Sequence, residues 1–206
     1  MKEKIILASS SQTRKKLLEN TGLAFQVISP EIDEDKAIAE ARSNGTHSHE
    51  IPVQLARLKG LQVSRQNPDA LVISADQVLI FQDEILQKAR SKKEAIQKLK
   101  KLRGQRHQLV SGVCLTRNLN VLWTKTETAT LHMEEVSDAY LENYIDSARD
   151  TLFSSVGAYA VEGYGAWLFS KIEGDYFTIL GLPLIPLLQY LRSQFDCKPG
   201  RFDSDV

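Results

Sequence analysis

Apolar and polar residues along the first half of the chain form segments that alternate between strand and helix. The apolar run Ile5–Ala8 predicts a short buried strand, and the serines after it offer an N-cap for a helix that reaches about Asn20. Residues 25–29 predict a second strand, which ends at a proline and an acidic run. Apolar residues at helical spacing predict another helix over about 50–65. This order of elements indicates an α/β fold.

Asp76 directly follows the apolar run 70–75, which predicts a buried central strand. The prediction places Asp76 at the C-terminal end of that strand, where open α/β sheets bind their ligands. A carboxylate is costly to bury unless it is paired, so a metal or a strong hydrogen-bond network is indicated. An aspartate in an ordinary turn is the alternative. Val78, two residues on, argues against the paired aspartates of many phosphatases.

The second half of the chain predicts two long strands between helices. The predicted elements are a lysine-rich helix over 92–102, antiparallel strands over 107–116 and 121–133 joined by a turn at 118–120, a helix over 137–148, and a final helix from 181–183 to about 195. The segment 157–167 is rich in small residues, which suits a backbone that closely approaches another surface or a ligand. We expect a single domain over 1–195 and a flexible tail over 196–206.

Composition narrows the classes of function. The 206 residues include 26 Lys and Arg against 26 Asp and Glu, so there is no overall positive field to hold nucleic acid or an anionic membrane. The apolar run before Ser9 is too short for a signal peptide or a membrane span. We therefore expect a cytoplasmic protein that binds neither nucleic acid nor membrane. Cys114 and Cys197 lack metal or redox spacing and are expected to be reduced thiols.

Polar residues that follow the first two predicted strands are candidates for phosphate and metal binding. Ser9, Ser11 and Arg14 lie where a strand meets a helix N-terminus, and free N–H groups and the helix dipole favour phosphate there. Ordinary capping by Ser11 is the alternative interpretation. Glu34, at the end of the acidic run, offers a second carboxylate for a hard cation such as Mg²⁺.

Two other groups of charged residues are interpreted as surface features. His47 and His49 lie in a predicted flexible loop, so we leave them out of the candidate site. The lysines of the predicted helix over 92–102 are expected to form a solvated face. These lysines are Lys92, Lys93, Lys98, Lys100 and Lys101.

Several short motifs occur in an order and at a spacing that characterise one family. They are Ile-Leu-Ala-Ser-Ser-Ser with Arg14, Glu31-Ile-Asp-Glu34, Leu55-Ala with Lys59, Ser74-Ala-Asp76, Lys88, Gly157-Ala-Tyr159, Glu173-Gly-Asp-Tyr176 and Gly181-Leu-Pro-Leu184. Together they resemble the Maf family of nucleotide pyrophosphatases over nearly the whole chain except the tail. The resemblance implies an elongated mixed β-sheet flanked by helices, similar to the inosine-triphosphatase fold, in two lobes with a cleft. It also implies a homodimer.

The resemblance further implies an activity and the residues that perform it. Members of the family hydrolyse the bond between the α and β phosphates of nucleoside triphosphates with a divalent cation, Mg²⁺ or Mn²⁺. By motif, Asp76 would be the base that activates water, and it would share the metal with Glu34. The residues expected to bind the phosphates are Ser9, Ser11, Arg14, Lys59 and Lys88.

The chain departs from the common family pattern at positions expected to select the base, which are Thr13, Gln77 and Glu162. Gln77 and Glu162 resemble the branch that prefers 7-methyl-GTP. A carboxylate accepts two parallel N–H bonds, which guanine offers and uracil and thymine do not, so Glu162 favours a guanine-type base. A base methylated at N7 is also cationic, and Thr13 removes the repulsion that an arginine would exert. A pyrophosphatase of the dTTP or UTP type is the alternative.

A function of another class is also compatible with the sequence. Ser154 and Ser155 replace an Asp-Lys pair that members of the family often carry. Without that pair the chain could bind nucleotides as a regulator of cell division and turn them over slowly. Release of pyrophosphate would distinguish an enzyme from such a regulator.

Overall fold

The structure is a computed structural model that describes residues 3–148 and 151–199. The helices are α1 (Gln12–Glu19), α2 (Glu34–Ser43), α3 (Ile51–Gln66), α4 (Lys92–Leu102), α5 (Asp138–Ala148), α6 (Thr151–Ser154), α7 (Tyr176–Ile179) and α8 (Leu184–Phe195). The strands are β1 (Ile5–Ala8), β2 (Gln26–Val27), β3 (Leu71–Phe81), β4 (Glu84–Leu86), β5 (Arg106–Arg117), β6 (Asn120–Met133) and β7 (Phe169–Glu173). A short 3₁₀ helix, Tyr164–Leu168, leads into β7. None of the helices in this part of the chain has the length and hydrophobicity that a membrane crossing requires.

The strands of the described residues form a seven-stranded mixed sheet. Its order is β2, β1, β3, β5, β6, β7, and β4 pairs with β3. β1 runs parallel to β2 and β3, while β4 is antiparallel to β3 and β7 is antiparallel to β6. α1 forms the crossover that the parallel pair β1 and β2 needs. The predicted α/β fold with a mixed sheet flanked by helices is confirmed.

The strand that carries Asp76 is longer than the sequence prediction. β3 continues to Phe81 because the residues after Gln77 are apolar and pair with β4, so the placement of Asp76 at the end of a strand is wrong. The last parallel pair between β1 and β3 joins Ala8 to Ser74. Asp76 therefore lies just beyond the parallel part of the sheet, which is the edge where such sheets bind ligands.

Two other differences concern short or weakly apolar elements. The sequence analysis treats 31–35 as an acidic run, whereas α2 begins within it. Asp33 caps this helix by accepting a hydrogen bond from the Lys36 N–H at 3.0 Å, and acidic residues suit a helix N-terminus. α2 buries only Ile38, so its apolar spacing is too weak to predict it. β4 was also missed, since it has three residues.

The predicted turn between the two long strands is confirmed. Asn118 and Leu119 connect β5 to β6, and both residues have positive φ, 47° and 60°. Two consecutive left-handed residues are typical of a type I′ turn, which joins antiparallel strands directly. The predicted helices over 92–102 and 137–148, and the final helix, are confirmed as α4, α5 and α8.

The chain divides into two compact units. The first comprises the described residues up to Gln77, Val110–Glu127 and those from Asp175 onwards, and the second comprises Val78–Leu109 and Thr128–Gly174. The long strands β3, β5 and β6 each contribute residues to both units. That residues 1–195 act as one domain stays a prediction.

The core of the first unit follows the alternation of side chains along a strand. Odd-numbered residues of β1 and β3, such as Leu7 and Ile73, pack with Leu18 of α1 and Leu187 of α8. Even-numbered residues of the same strands, such as Val72, pack with Val63 of α3. Side chains two apart share a face of the sheet, so α1 and α8 cover one face here and α3 covers the other.

Two glycines allow α3 to lie close to the sheet. A Cβ at Gly60 would lie 2.7 Å from the Oγ of Ser74 on β3. A Cβ at Gly112 on β5 would lie 2.4 Å from the backbone N of Val53 on α3. Contacts this short leave no room for a methyl group, so these glycines set the depth at which α3 packs.

The predicted tail lies partly outside the described residues. Residues 200–206 lie outside the described residues, so their flexibility stays a prediction. Of the four described tail residues, Asp196 ends α8 in a left-handed conformation, and the Cys197 N–H donates to the Leu191 carbonyl at 3.3 Å. Cys197 also packs against the core of the first unit. The start of the tail is therefore attached to α8.

The packing of α3 generates a stability prediction. Gly112→Ala should lower the free energy of unfolding by about 1–3 kcal/mol, because the new methyl group meets backbone atoms that cannot rotate away. Urea denaturation followed by circular dichroism measures the change. Gly163→Ala is the matched control, since its added Cβ meets its nearest neighbour only at 4.0 Å. Equal stability of the two variants would contradict the account of how α3 packs.

Candidate active site

A buried lysine between two carboxylates forms the centre of the candidate site. Lys59 Nζ lies 2.5 Å from Asp76 Oδ2 and 2.7 Å from Glu34 Oε1. The side chains of Lys59 and Asp76 are only 7% and 8% exposed, while that of Glu34 is 48% exposed. The structure thus brings together three residues that the sequence analysis assigned to one site.

The orientation of the Asp76 side chain follows from its position in β3. Even-numbered residues of this strand face α3, so Asp76 faces the helix that carries Lys59. Ser74, on the same face, donates to the Ala56 carbonyl of α3 at 2.7 Å and fixes the helix beside the strand. The Asp76 Oδ1 accepts the N–H of Gln77 at 2.6 Å. Because a buried carboxylate needs compensation, the ammonium of Lys59 is what makes this position possible.

The serine turn after β1 is built as the sequence predicts. Ser11 caps α1 by accepting the Arg14 N–H at 3.3 Å, and buried Ser9 accepts the Ser11 N–H at 3.2 Å. The capping alternative is therefore correct for Ser11 as a structural role. The remaining N–H groups of the first helical turn have no partner inside a helix, which leaves an anion-binding geometry.

Arg14 is held against the turn that precedes α8. Its Nε donates to the Gly181 carbonyl at 2.7 Å, and Gly181 adopts a positive φ of 91°. Burial lowers the pKa of Arg14, while the negative charges of Asp76 and Glu34 raise it. The guanidinium therefore lies within the electrostatic reach of both carboxylates. Arginine remains charged in proteins, so this group adds a fixed positive charge to the site.

The side chain of Gln77 faces the opposite side of the sheet from Asp76. Its Nε2 lies 3.0 Å from the Thr178 carbonyl, 3.0 Å from the Ile179 carbonyl and 3.1 Å from the Ser111 Oγ. Ser111 itself donates to the Thr178 carbonyl at 2.8 Å. Sequence analysis missed Ser111 and Thr178. A buried serine inside the apolar strand β5 was the available signal for the first of them.

The donor chemistry near Lys59 fits a divalent cation that arrives with phosphates. Glu34 and Asp76 supply carboxylate oxygens, which Mg²⁺ and Mn²⁺ prefer. Among the described residues no group of three or more His, Cys, Asp and Glu is arranged to hold a metal by itself. Mg²⁺ commonly binds through one or two carboxylates plus substrate phosphates and water, so the pair suits a shared site rather than a closed protein cage. His47 and His49 are exposed and lie between α2 and α3, outside the helices and strands.

The second unit contains Lys88, Glu162 and the Gly157-Ala-Tyr159 segment. Lys88 is exposed and follows β4 directly after Gln87. Glu162 is exposed too, and it precedes a 3₁₀ helix on which Tyr164 and Trp167 are 69% and 75% exposed. Because these residues belong to the other unit, their assignment to the site stays a prediction.

Lys98 corrects the prediction that the lysines of α4 form one solvated face. Its ammonium donates to the carbonyl of Gln87 and, at 2.8 Å, to the carbonyl of Val156. Burial lowers the pKa of Lys98 to about 8, while the nearby Glu94 raises it. Lys92 and Lys93 are exposed, as expected. Lys98 instead connects the segment before Lys88 to the segment before Gly157.

The Gly157-Ala-Tyr159 segment closes around a buried aromatic cluster. Tyr159 OH lies 2.5 Å from His107 Nε2, and the Tyr159 ring packs edge-on against Phe169 with centroids 4.8 Å apart. Ser155 accepts the Tyr159 N–H at 3.0 Å. A Cβ at Gly157 would lie 2.2 Å from the Tyr159 ring, so only glycine fits there. Ser155, which stands where the resemblance implies a lysine, thus stabilises this turn.

Comparison with known sequences decides the family. The profile described as Maf-like protein matches residues 4–194. The chain belongs to the Maf family. That assignment confirms the resemblance drawn from the motifs, and the match leaves out the tail, as expected.

Relatives of this Maf protein are named 7-methyl-GTP pyrophosphatase or nucleoside triphosphate pyrophosphatase. A 7-methyl-GTP pyrophosphatase of Brucella abortus is 42% identical over 94% of this chain and 98% of its own. A nucleoside triphosphate pyrophosphatase of Nitrobacter winogradskyi is 45% identical over 94% of this chain and 95% of its own. A solved structure of a HAM1 protein from Coxiella burnetii is 16% identical, covers 66% of this chain and 75% of its own, and has a TM-score of 0.45.

The buried aromatic cluster around Tyr159 and His107 generates a prediction about pH. Burial lowers the pKa of His107 to about 4, with the charge of His132 lowering it further, so the folded protein keeps this imidazole neutral. The unfolded chain takes up a proton near pH 6.5, so the stability from His107 is complete above that pH and is lost as the pH falls towards 4. Between pH 6.5 and pH 4, we expect the protonation of this histidine in the unfolded chain to lower the free energy of unfolding by about 3 kcal/mol.

Urea denaturation at pH 7 and pH 4 tests this expectation. His107→Gln retains a hydrogen-bonding side chain for Tyr159 but does not titrate, so its stability should fall less on acidification than that of the parent. His47→Gln changes an exposed histidine and should keep the parent's pH profile. An unchanged pH profile in His107→Gln would show that this imidazole does not control acid stability.

Proposed function

We propose that this protein hydrolyses nucleoside triphosphates between the α and β phosphates to give the nucleoside monophosphate and pyrophosphate. The observation that carries the proposal is the buried Asp76 in contact with Lys59, whose ammonium also contacts Glu34, beside an arginine and a serine turn that suit phosphate. The relatives named as pyrophosphatases align with more than nine-tenths of the chain, which supports the same chemistry here.

In the proposed reaction Asp76 accepts a proton from the attacking water. The new bond joins the water oxygen to phosphorus, the bridging P–O bond breaks, and pyrophosphate leaves with the electron pair of that bond. The proton taken by Asp76 then passes to solvent. Positioning of water and base in this way contributes about 10²–10⁴-fold to a rate. Lys59 and Arg14 supply the positive charge that stabilises the negative charge developing on phosphate oxygens.

Glu34 and Asp76 would hold the divalent cation, Mg²⁺ or Mn²⁺. When bound, such a cation neutralises charge on the phosphates and polarises their oxygens. The protein would contribute by holding the two carboxylates near each other. Their shared contact with the Lys59 ammonium supports this role. The phosphate-binding roles of Ser9, Ser11 and Lys88 belong to the same proposal.

The proposed base is of the guanine type, with 7-methyl-GTP as the leading substrate. Glu162 carries an exposed carboxylate, and Tyr164 and Trp167 offer exposed aromatic faces on the helix that follows. A carboxylate and aromatic faces together suit a cationic, hydrogen-bond-donating ring, because aromatic rings attract cations. Thr13 on α1 adds no opposing charge. A homodimer and a cytoplasmic location remain predictions alongside this specificity.

The role of Asp76 can be tested by one substitution. Asp76→Asn should lower kcat by about 10²–10⁴-fold, because the amide cannot take the proton from water. Pyrophosphate release from a triphosphate with Mg²⁺ or Mn²⁺ measures turnover, and circular dichroism checks that the variant folds. Asp69→Asn makes the same chemical change at an exposed position before β3 and should retain the parental rate. A parental rate in Asp76→Asn would disprove the assignment of the base.

Base preference can be tested with a panel of triphosphates. The parent should prefer 7-methyl-GTP to UTP and dTTP in kcat/KM, and Glu162→Gln should reduce that preference by about 10–100-fold, because it removes charge-assisted hydrogen bonds. Glu142→Gln, an exposed change on α5 in the same unit, is the control and should keep the preference. If the parent prefers UTP or dTTP, the guanine assignment is wrong while the pyrophosphatase proposal stands.

A further inference from the structure

The side chain of Gln77 is already engaged in the first unit. Its Nε2 has two N–H groups and lies within 3.0–3.1 Å of three acceptors, the carbonyls of Thr178 and Ile179 and the hydroxyl of Ser111. Thr178 is 1% exposed and Ser111 is fully buried, so these bonds form out of contact with water. The amide donors of Gln77 are therefore used to fix the C-terminal end of α7.

The segment that Gln77 holds leads directly to the anchor of Arg14. The Gly181 N–H donates to the Thr178 carbonyl at 3.0 Å, so Gly181 is placed by the same turn. The Gly181 carbonyl in turn accepts the Nε of Arg14 at 2.7 Å. A Cβ at Gly181 would lie 3.3 Å from one Nη of Arg14, so the guanidinium lies flush against this residue. Positive φ at Gly181 makes the arrangement one that other residues rarely adopt.

The bond to Gly181 leaves the other guanidinium donors for a ligand. Arginine has five N–H donors in a fixed plane, and one of them is used by the anchor. The hydrogen bond of Nε restricts the orientations that the guanidinium plane can adopt. The side chain therefore loses less conformational entropy when it binds phosphate. Movement of α7 would move the acceptor and release this restriction.

We propose that Gln77 is a positioning residue that orients Arg14 for phosphate binding by fixing the turn between α7 and α8. Gln77 thus acts on every triphosphate alike, in contrast to the base-selecting role expected from sequence. The inference rests on the proposed function, because it assumes that Arg14 binds the phosphates. The path runs from Gln77 to Thr178 and Ile179, then to Gly181, and then to Arg14.

The test measures binding as well as turnover. Gln77→Met removes the amide donors at similar side-chain length, and we expect it to weaken binding of an α,β-methylene triphosphate by about tenfold, the equivalent of one or two buried hydrogen bonds. Isothermal titration calorimetry with guanosine and uridine analogues gives the affinities, and both should fall by the same factor. Gln66→Met, an exposed change on α3, is the matched control and should bind like the parent.

A double-mutant cycle shows whether Gln77 acts through Arg14. In an Arg14→Ala background, Gln77→Met should weaken binding further by no more than about twofold, because the group that it orients is already gone. Full additivity of the two changes would overturn the proposal. So would a Gln77→Met variant that binds both analogues like the parent, or one that loses affinity for only one base.

Two further measurements keep the result interpretable. Ser111→Ala removes a second donor to the Thr178 carbonyl and serves as the test if Gln77→Met fails to fold. It should weaken binding of both analogues by the same factor, and by less than Gln77→Met. Unchanged binding in Ser111→Ala would overturn the proposal. Pyrophosphate release is measured on the parent in parallel. A parent that binds the analogues without releasing pyrophosphate would disprove the proposed function, while the cycle would still decide the role of Gln77.

Discussion

The contact of the Lys59 ammonium with two carboxylates is the constraint on which the candidate site depends. An ionised aspartate that is 8% exposed would be strongly unfavourable alone, and the ammonium 2.5 Å away compensates it. The contact requires α3 to lie close to β3, which Gly60 and Gly112 permit. The half-exposed Glu34 then brings α2 to the same ammonium. The close packing of α3 on the sheet, the burial of Asp76 and the position of the Lys59 ammonium thus depend on one another.

Much of the fold could be predicted from the sequence because its elements have strong apolar patterns. The strand at Ile5–Ala8 and the helix over 92–102 match the structure residue for residue. α2 and β4 could not be predicted, since a helix with one buried residue and a three-residue strand carry little periodic signal. The end of β3 was misplaced because an aspartate inside a strand resembles a strand end when only local sequence is considered.

The site could be predicted in its charged residues but not in the groups that position them. Lys59, Glu34 and Asp76 were grouped through motifs, and the structure brings them together. Nothing local to Gln77 indicates that its amide donates to the carbonyls of Thr178 and Ile179, which are 101 and 102 positions later. The sequence groups Lys98 with the surface lysines, because its carbonyl acceptors lie on segments that are distant along the chain. Contacts between residues far apart in sequence leave no periodic pattern.

The anchor of Arg14 has a consequence for how the site comes into existence. Arg14 and Gly181 are 167 positions apart, so the contact joins the first helix to nearly the last part of the chain. A chain emerging from the ribosome can pair Lys59 with Asp76 long before Gly181 has been synthesised. Such a fragment would have the charged centre without an oriented arginine. The anchored arginine can therefore form only after most of the chain has been made, whereas the contact between Lys59 and Asp76 spans 17 positions.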